Sequence, residues 1–484
     1  MSDLSRREFL ERTAYAAGLA GMASVLPANV LIQEAAKAQA APLPSPANMP
    51  IDHFVVVMME NRSFDHYFGW AGDIADATQA QSYVNNSDDM GASGEEVSTV
   101  HHSELGAASH QGCGHPDPGH GWDSGRRQRD GGFLADGSGN DLFALTYFNE
   151  SELGFIHDAA KAYTLYDRFH CSLLGPTWVN RYYMWSGQSG GRKNNTPPFE
   201  TAGNQWPNVI DLVTATGGTG VYYNSDLPFS ATFGARGATY TRKLESFYAD
   251  CALGTLPNVA IVDPPFRDGG GFDGNSADEH PHGDVRLGQA WMADVVNAFV
   301  NSPNYATGAL FIVYDEWGGF FDHVRPPSVR DDRSSRDLNE DFGQMGFRIP
   351  AVAVSPFTRR PRRGGWKVDH GQYGFESILK LIAYRFGLGS LTRRMQFANN
   401  VGRSFNWARP DFERPALPDP RQVVTAPCAL GGGDVLDSQL AHAGDLAELE
   451  ELALRFGIPV YEGKLGDIFT LPDTIRRGVL TRPL

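Results

Sequence analysis

The sequence predicts an α/β fold in which a mostly parallel central sheet is covered by helices on both faces. Two observations predict it. Short apolar runs of strand length alternate along the chain with longer segments of helical periodicity. Several of these apolar runs also stop abruptly in polar residues. In open α/β sheets ligands bind at the carboxyl ends of the parallel strands, so these polar residues are the first candidates for a functional site.

The predicted elements follow one another in a regular order. The first strand is the apolar run from Phe54 to Met59, and further strands are predicted at KAYTLYDRF, GTGVYYNSD, LPNVAIVDPPF, ALFIVYDEWGG and FRIPAVAVSPF. Helices are predicted at WVNRYYMWSGQ, VIDLVTAT, GDVRLGQAWMADVVNAFV and FESILKLIAYRFG, the last ended by Gly387. A final amphipathic helix, HAGDLAELEELALRFG, follows a Pro-, Arg- and Gly-rich coil over residues 404–435.

The chain has 484 residues, and we expect one elaborated catalytic domain over residues 51–484, with a coil and helix from about residue 404. Residues 41–50 are a Pro-rich linker. The 54 Gly and 30 Pro indicate long loops. Residues 71–140 show no sustained apolar period, which is typical of a binding loop.

Residues 1–40 are predicted to be a twin-arginine signal peptide. Arg6 and Arg7 precede a weakly apolar run, and Ala38-Gln39-Ala40 matches a cleavage site. The alternative is a cytosolic amphipathic helix with two chance arginines. The signal predicts the twin-arginine export machinery as a partner and a final location in the periplasm, the cell envelope or outside the cell. No later segment reaches ~18 apolar residues, so we expect no stable membrane anchor in the mature chain.

The net charge of the chain and the spacing of its cysteines limit the partners and the kinds of site to be expected. A formal net charge of −16 argues against nucleic acid as a partner and disfavours steady adhesion to anionic membrane. The four cysteines, Cys113, Cys171, Cys251 and Cys428, form no CxxC pair. One or two disulfides and free buried thiols are equally compatible with this spacing.

Two predicted strands end in the same kind of residue. VVVMMEN ends in Glu60 and Asn61, and LFIVYDE ends in Asp315 and Glu316. If the strands are parallel neighbours, three carboxylates and an amide meet at one edge, which is unfavourable unless a cation lies among them. Oxygen ligands favour Ca²⁺, Mg²⁺ or Mn²⁺, and Zn²⁺ also accepts carboxylates. Each acid alone could instead be a helix N-cap or a surface charge.

Thr177 follows Gly175-Pro176 at the start of a predicted helix, where backbone N–H groups and the helix dipole suit an anion. Coordination of its hydroxyl to a metal would make it a nucleophile. The alternative is that Thr177 is only the helix N-cap. Histidines that could stabilise a phosphoryl group or protonate a leaving oxygen occur in several polar segments: His120, His280, His323 and His370.

With these residues in view, the sequence resembles the bacterial phosphoesterase family that contains mycobacterial-type phospholipases C and exported acid phosphatases. The matching segments include IDHFVVVMMENRSFDHYFG, DPGHGW, FHCSLLGPTWVNRYYMWSG, DEHPHGDVRLGQA and LFIVYDEWGGFFDHVRPP. GFRIPAVAVSPFTRRP and VDHGQYGFESILKLIAYRFG extend the resemblance to about Gly387.

The resemblance implies an alkaline-phosphatase-like sandwich and a metal-assisted covalent mechanism. It makes Thr177 the nucleophile that forms a phospho-enzyme, and it places one histidine, His280, at the leaving group. Glu279 would orient a neighbouring residue. The implied metal shell is Glu60, Asn61, Thr177, Asp315 and Glu316. The groups implied around the phosphoryl oxygens are Asn61, His120, His280 and His323.

The expected function is that of an exported phospholipase C that hydrolyses a phospholipid to diacylglycerol and a phosphorylated headgroup. An acid phosphatase acting on phosphomonoesters is the alternative with the same chemistry. A non-enzymatic alternative is an exported binding protein that retains the metal, against which the retention of Thr177 argues. Trp317 departs from the polar residue usual in relatives and predicts a more apolar pocket mouth.

Overall fold

The computed structural model describes residues 42–79, 84–86, 96–105, 110–198, 201–266, 276–333, 341–360, 365–420 and 428–461. The predicted signal peptide, residues 1–40, lies outside the described residues.

Twelve strands lie in the described part of the chain. In chain order they are β1 (His53–Met59), β2 (Val84–Asn86), β3 (Glu96–Ser98), β4 (Val100–His101), β5 (Thr146–Tyr147), β6 (Thr164–Tyr166), β7 (Gly220–Asn224), β8 (Thr241–Lys243), β9 (Val259–Val262), β10 (Gly308–Tyr314), β11 (Ala351–Val354) and β12 (Lys367–Asp369).

The α-helices of the described residues are α1 (Phe64–Phe68), α2 (Trp122–Gly131), α3 (Ile156–Ala162), α4 (Thr177–Ser186), α5 (Val209–Ala215), α6 (Ala235–Ala238), α7 (Leu244–Leu253), α8 (Val285–Asn301), α9 (Phe375–Phe386), α10 (Arg393–Phe397) and α11 (Asp434–Arg455). None of these helices combines the length and the apolar character needed to cross a membrane.

Eight strands form one sheet in the order β12-β6-β11-β10-β1-β9-β7-β8. Most neighbours are parallel; β11 is antiparallel to both β10 and β6. Every residue of β10 is buried, as is every residue of β1 after His53. Because successive side chains point to opposite faces, the centre of the sheet is covered on both sides. The predicted α/β fold with a mostly parallel sheet is confirmed.

Each predicted strand and helix has a counterpart in the structure, and α2 is a helix that the sequence did not predict. It lies within the segment 71–140, for which no periodic element is predicted. Its sequence, WDSGRRQRDG, has a single apolar residue and two glycines, so no apolar face marks it. Tertiary contacts hold it instead: the rings of Trp122 and Phe342 lie 5.0 Å apart, and Arg126 donates to the carbonyl of Leu174 at 2.8 Å.

Both states that the cysteine spacing allows, a disulfide and free buried thiols, occur in the structure. Cys113 and Cys428 form a disulfide. Cys171 and Cys251 are buried free thiols. The disulfide joins the loop that precedes His120 to the segment that leads into α11, so it ties the C-terminal helix to the region of the predicted site.

Candidate active site

The ends of β1 and β10 meet as predicted. In the parallel register Met59 is opposite Tyr314, so the next residues, Glu60 and Asp315, leave the sheet side by side. The Asn61 N–H donates to Asp315 Oδ1 at 3.2 Å. Asn61 has φ 58°, a left-handed conformation that asparagine tolerates better than most residues. Strained backbone at a strand end is typical of functional sites.

Arg181, one turn into α4, joins these strand ends. Its Nη2 donates to Glu60 Oε1 at 3.1 Å, and its Nε donates to Asp315 Oδ2 at 3.2 Å. Its Nη1 lies 3.0 Å from the carboxylate of Asp263, the residue that follows β9. We call Glu60, Asp263, Asp315, Glu316, Arg181 and His120 the strand-end cluster. Sequence reasoning missed Arg181 and Asp263, although Asp263 ends an apolar run in the same way as Glu60.

The strand-end cluster is short of positive charge. Glu60, Asp315 and Glu316 are almost fully buried. Burial raises the pKa of Glu60 well above its usual range, and the neighbouring Asp315 raises it further. Burial likewise raises the pKa of Asp315 and of Glu316. Glu316 Oε1 is buried and has no hydrogen-bond partner. These oxygen donors fit a divalent cation, which would supply the missing charge.

The described residues also contain two tighter groups of possible ligands. In each, three acid or histidine side chains offer atoms within 4.8 Å of one another: Asp117, His120 and His280 in one group, and Asp65, Asp322 and His323 in the other. The predicted set of Glu60, Asp315 and Glu316 is not so compact, since Arg181 bridges Glu60 and Asp315. The assignment of these residues as metal ligands therefore stays a prediction.

Thr177 also lies beside the ends of β1 and β10. It is the first residue of α4, and the N-cap is Pro176, so the alternative in which Thr177 serves as the N-cap is wrong. Its hydroxyl lies 3.4 Å from Asn61 Oδ1. Thr177 is half-buried and lines a cavity together with Glu60 and Arg181. Its oxygen is thus accessible beside the acidic strand ends.

His120 and His280 lie together, with ring centroids 6.2 Å apart. His280 Nε2 is 3.4 Å from Asp117 Oδ2, and His280 Nδ1 is buried without a partner. Burial lowers the pKa of His120, but Glu316 and Asp117 outweigh this effect and raise it to about 9. The pKa of His280 is well below its usual value, first because of burial and then because His442 and His120 are close.

The carboxylate of Glu279 is saturated by hydrogen bonds. The hydroxyls of Tyr67 and Tyr314 donate to Oε2 at 2.6 and 2.5 Å, and Gln289 Nε2 donates to Oε1 at 2.8 Å. Burial raises the pKa of Glu279 to about 7, although these two tyrosine hydroxyls act in the opposite direction. Glu279 has φ 72°. Its anchored side chain fixes the strained turn that presents His280, which is compatible with the expected orienting role.

His323 lies in a different cluster. Its Nδ1 is 2.6 Å from Asp65 Oδ2, and Arg348 donates to both Asp65 and Asp322 at 3.1 and 2.9 Å. We call Asp65, Asp76, Asp322, Arg168, Arg348 and His323 the Arg348 cluster. His323 contacts Asp65, Asp76 and Arg348 of this cluster, and its role at the phosphoryl group stays a prediction.

The prediction for Trp317 is wrong. Trp317 is fully buried, its Nε1 donates to Gln128 Oε1 at 2.8 Å, and its ring packs on Phe347. It stabilises the contact with α2 and does not line the mouth of the cavity.

Residues of α11 complete the cavity. His442, Asp445, Leu446 and Leu449 line it opposite Glu60 and Thr177. Sequence reasoning missed His442 and Asp445, because an amphipathic helix far along the chain carries no signal that it approaches strand ends near residue 60.

Comparison with known proteins assigns the family. The model of the phosphoesterase family matches residues 51–389. Non-hemolytic phospholipase C of Burkholderia pseudomallei is 26% identical over 87% of this chain and 67% of its own. Phospholipase C B of Mycobacterium tuberculosis is 29% identical over 86% and 89%, and non-specific phospholipase C6 of Arabidopsis thaliana is 28% identical over 72% and 71%.

Similarity to solved structures is weaker. A protein in the alkaline phosphatase superfamily from Vibrio parahaemolyticus aligns with 75% of this chain and 72% of its own, with a TM-score of 0.37 and 8% identity, too little to specify the chemistry. The family match covers most of the chain and includes both strand ends, Thr177, His120 and His280. The chain belongs to the phosphoesterase family and is a hydrolase of phosphate esters.

Proposed function

We propose that this protein is an exported, metal-dependent phospholipase C that acts through a covalent phospho-threonine intermediate. The observation that carries the proposal is the position of the Thr177 hydroxyl. Thr177 lines a cavity, its hydroxyl lies 3.4 Å from Asn61 Oδ1, and it stands beside four buried carboxylates that face only two cations, Arg181 and His120.

In the first step the Thr177 hydroxyl releases its proton to solvent water, and its oxygen attacks phosphorus. A bond forms between this oxygen and phosphorus, and the bond from phosphorus to the glycerol oxygen breaks, so that diacylglycerol leaves. A divalent cation bound by Glu60, Asn61, Thr177, Asp315 and Glu316 would favour the alkoxide of Thr177 and offset charge on the phosphoryl oxygens. Arg181 keeps the strand ends together while this charge changes.

The leaving glycerol oxygen needs a proton, for which we propose His280. Its unpaired Nδ1 gains a partner when a phosphate ester binds, and the anionic ester favours the protonated ring. In the second step a water attacks the phospho-threonine, His280 takes a proton of that water, and the bond from phosphorus to the Thr177 oxygen breaks. The Thr177 oxygen regains a proton from solvent, and the phosphorylated headgroup leaves. His120, whose ring centroid lies 6.2 Å from that of His280, would stabilise charge on the phosphoryl oxygens.

The names of the relatives support a phospholipid as the substrate, because bacterial and plant phospholipases C match most of the chain. One observation favours the second candidate, an acid phosphatase acting on small monoesters. The cavity between Thr177 and α11 has a volume of only about 20 Å³, so a small monoester requires less widening of the site than a phospholipid does.

Export through the twin-arginine machinery is part of the proposal. The Cys113–Cys428 disulfide supports it, since disulfides persist outside the reducing cytosol. Replacing Arg6 and Arg7 with lysine should retain the protein in the cytosol, as fractionation of expressing cells would show. Unchanged export of that variant would contradict this part of the proposal.

The test of the chemistry compares wild type and Thr177→Ala on phosphatidylcholine and on p-nitrophenyl phosphate, with and without chelator. We expect Thr177→Ala to lose at least about 1,000-fold in turnover. Rapid quenching of wild type with ³²P-labelled substrate should trap label on Thr177. Thr214→Ala, an exposed threonine on α5, is the matched control. Equal turnover by Thr177→Ala would reject the nucleophile, and the preferred substrate would separate the two candidates.

A further inference from the structure

The C-terminal helix α11 lies over the proposed catalytic site. Four of its residues line the cavity that holds Thr177 and Glu60: His442, Asp445, Leu446 and Leu449. The space between them is about 20 Å³. A phosphate ester is larger than one water, so an ester that enters this cavity beside Thr177 comes into contact with the helix.

The contacts of α11 with the site are specific. The ring of His442 stacks on His280, with centroids 3.6 Å apart and an interplanar angle of 19°. Asp445 accepts a hydrogen bond from Asn195 Nδ2 at 2.7 Å, and Asn195 in turn accepts from the N–H of Trp178 at 2.8 Å. Trp178 follows Thr177 directly. The helix is thus linked both to the proton donor and to the residue beside the nucleophile.

His442 also has a free ligand atom. Its Nε2 is buried and has no hydrogen-bond partner. A buried, unpaired nitrogen is unfavourable unless a ligand supplies the missing bond. The atom lies on a residue that lines the cavity beside Thr177, where the phosphate ester would supply it.

The helix is held in place from both sides. The Cys113–Cys428 disulfide fixes the chain six residues before α11 begins. Ser438 on the first turns of α11 accepts a hydrogen bond from the N–H of Asp117 at 3.1 Å. After the helix, the N–H of Tyr461 donates to the carbonyl of Asp226 at 3.1 Å.

We propose that α11 is a part of the active site, that His442 contacts the bound phosphate ester through Nε2, and that the Cys113–Cys428 disulfide holds the helix over the site. The inference rests on the proposed function at Thr177. It adds a substrate-contacting residue from a segment that lies beyond the matched family region, residues 51–389.

The test separates contact with substrate from packing against His280. His442→Phe keeps a ring that can stack, whereas His442→Gln keeps a hydrogen-bonding amide. We expect His442→Phe and His442→Ala to lose about 10- to 100-fold in kcat/KM on p-nitrophenyl phosphate, the range for a hydrogen bond to a charged group. His442→Gln should recover most of that loss. Wild-type activity of His442→Phe would overturn the contact with substrate.

The matched control is Leu440→Ala, on the exposed face of α11, which should keep wild-type activity. Melting temperatures of all variants show whether a loss of activity reflects unfolding. Thr177→Ala in the same assay separates the two proposals. If Thr177→Ala is inactive while His442→Phe and His442→Ala are fully active, only the inference about α11 fails.

The role of the Cys113–Cys428 disulfide is tested with a double-mutant cycle. In Cys428→Ser the helix loses its covalent tether and keeps only hydrogen bonds such as those of Ser438 and Tyr461, so adding His442→Ala should cost less than about 3-fold, well below its effect in the wild type. If the losses in kcat/KM caused by Cys428→Ser and by His442→Ala simply multiply in the double variant, the disulfide does not hold the helix over the site. If Cys428→Ser does not fold, the same comparison is made on folded wild type and His442→Ala after reduction with dithiothreitol.

Discussion

The strand-end cluster and the Arg348 cluster are built from the same types of residue and differ in charge balance. Each contains buried carboxylates, a buried arginine and a histidine. In the strand-end cluster, four carboxylates face Arg181 and His120, and Glu316 Oε1 and Asp263 Oδ1 have no hydrogen-bond partner. In the Arg348 cluster, three carboxylates face three cations.

The difference in charge balance distinguishes a candidate active site from a structural ion-pair network in this fold. A compact group of acid and histidine atoms lies beside the strand-end cluster (Asp117, His120 and His280) and another lies within the Arg348 cluster (Asp65, Asp322 and His323), so residue type alone does not distinguish the two regions. The Arg348 cluster already contains the cations that its carboxylates need. The strand-end cluster does not, and it opens into a cavity through Thr177. An excess of buried negative charge beside a reactive hydroxyl indicates a place for an added cation and for chemistry.

The largest expected effect is on activity. Glu316→Gln should reduce turnover of p-nitrophenyl phosphate at least about 1,000-fold, equivalent to about 4 kcal/mol in the barrier. In metal-free protein its melting temperature should not fall, because burial disfavours the charged form of Glu316 and the amide is neutral. Glu451→Gln, an exposed acid on α11, is the control. Wild-type turnover in Glu316→Gln would remove Glu316 from the site.

The next largest effect is on stability, in the other cluster. Asp322→Asn leaves the buried Arg348 without the carboxylate that accepts its Nε at 2.9 Å. We expect the free energy of unfolding to fall by roughly 3 to 5 kcal/mol, the usual result of breaking a buried ion pair. Urea denaturation followed by circular dichroism measures it. A change below about 1 kcal/mol would contradict the structural role of the Arg348 cluster.

Divalent cations should stabilise only one of the clusters. At about 100 times its dissociation constant, a bound cation should stabilise the wild type by about 2.7 kcal/mol. Asp315→Asn should lose this stabilisation, while Asp322→Asn should keep it. Thermal denaturation with Ca²⁺, Mg²⁺, Mn²⁺ and Zn²⁺ measures the shift and ranks the ions. Stabilisation that disappears in Asp322→Asn and persists in Asp315→Asn would reverse the assignment of the two clusters.

The smallest effect is a pH dependence. Burial lowers the pKa of His323, but Asp65 and Asp76 outweigh it and raise the pKa to about 9. The unfolded value is about 6.5, so the folded state binds more protons between these values, and stability falls as pH rises. Between pH 7.5 and 8.5 the loss should be roughly 1 kcal/mol.

His323→Gln should lack this part of the slope, which urea denaturation at the two pH values would measure. His370→Gln is a comparison, because His370 pairs with Asp167 outside the Arg348 cluster. An identical slope in wild type and His323→Gln would show that His323 is not held as a cation.

Much of the fold could be predicted because its signals are local. The apolar run of β1 and the helical period of α8 need no knowledge of their neighbours. The short helix α2 could not be predicted, since WDSGRRQRDG has no apolar face and depends on contacts such as that of Trp122 with Phe342. The burial of Trp317 was missed for the same reason: Gln128 on α2 is its partner.

Local sequence patterns alone indicate which residues end the strands and which hydroxyl begins α4. Both are properties of a few consecutive residues, so polarity and periodicity reveal them. Tertiary structure decided that Arg181 joins Glu60 to Asp263 and Asp315, that His323 belongs to another cluster, and that α11 brings His442 onto His280. The physical reason is that strand register and charge balance depend on contacts between residues far apart in the chain, which local patterns do not encode.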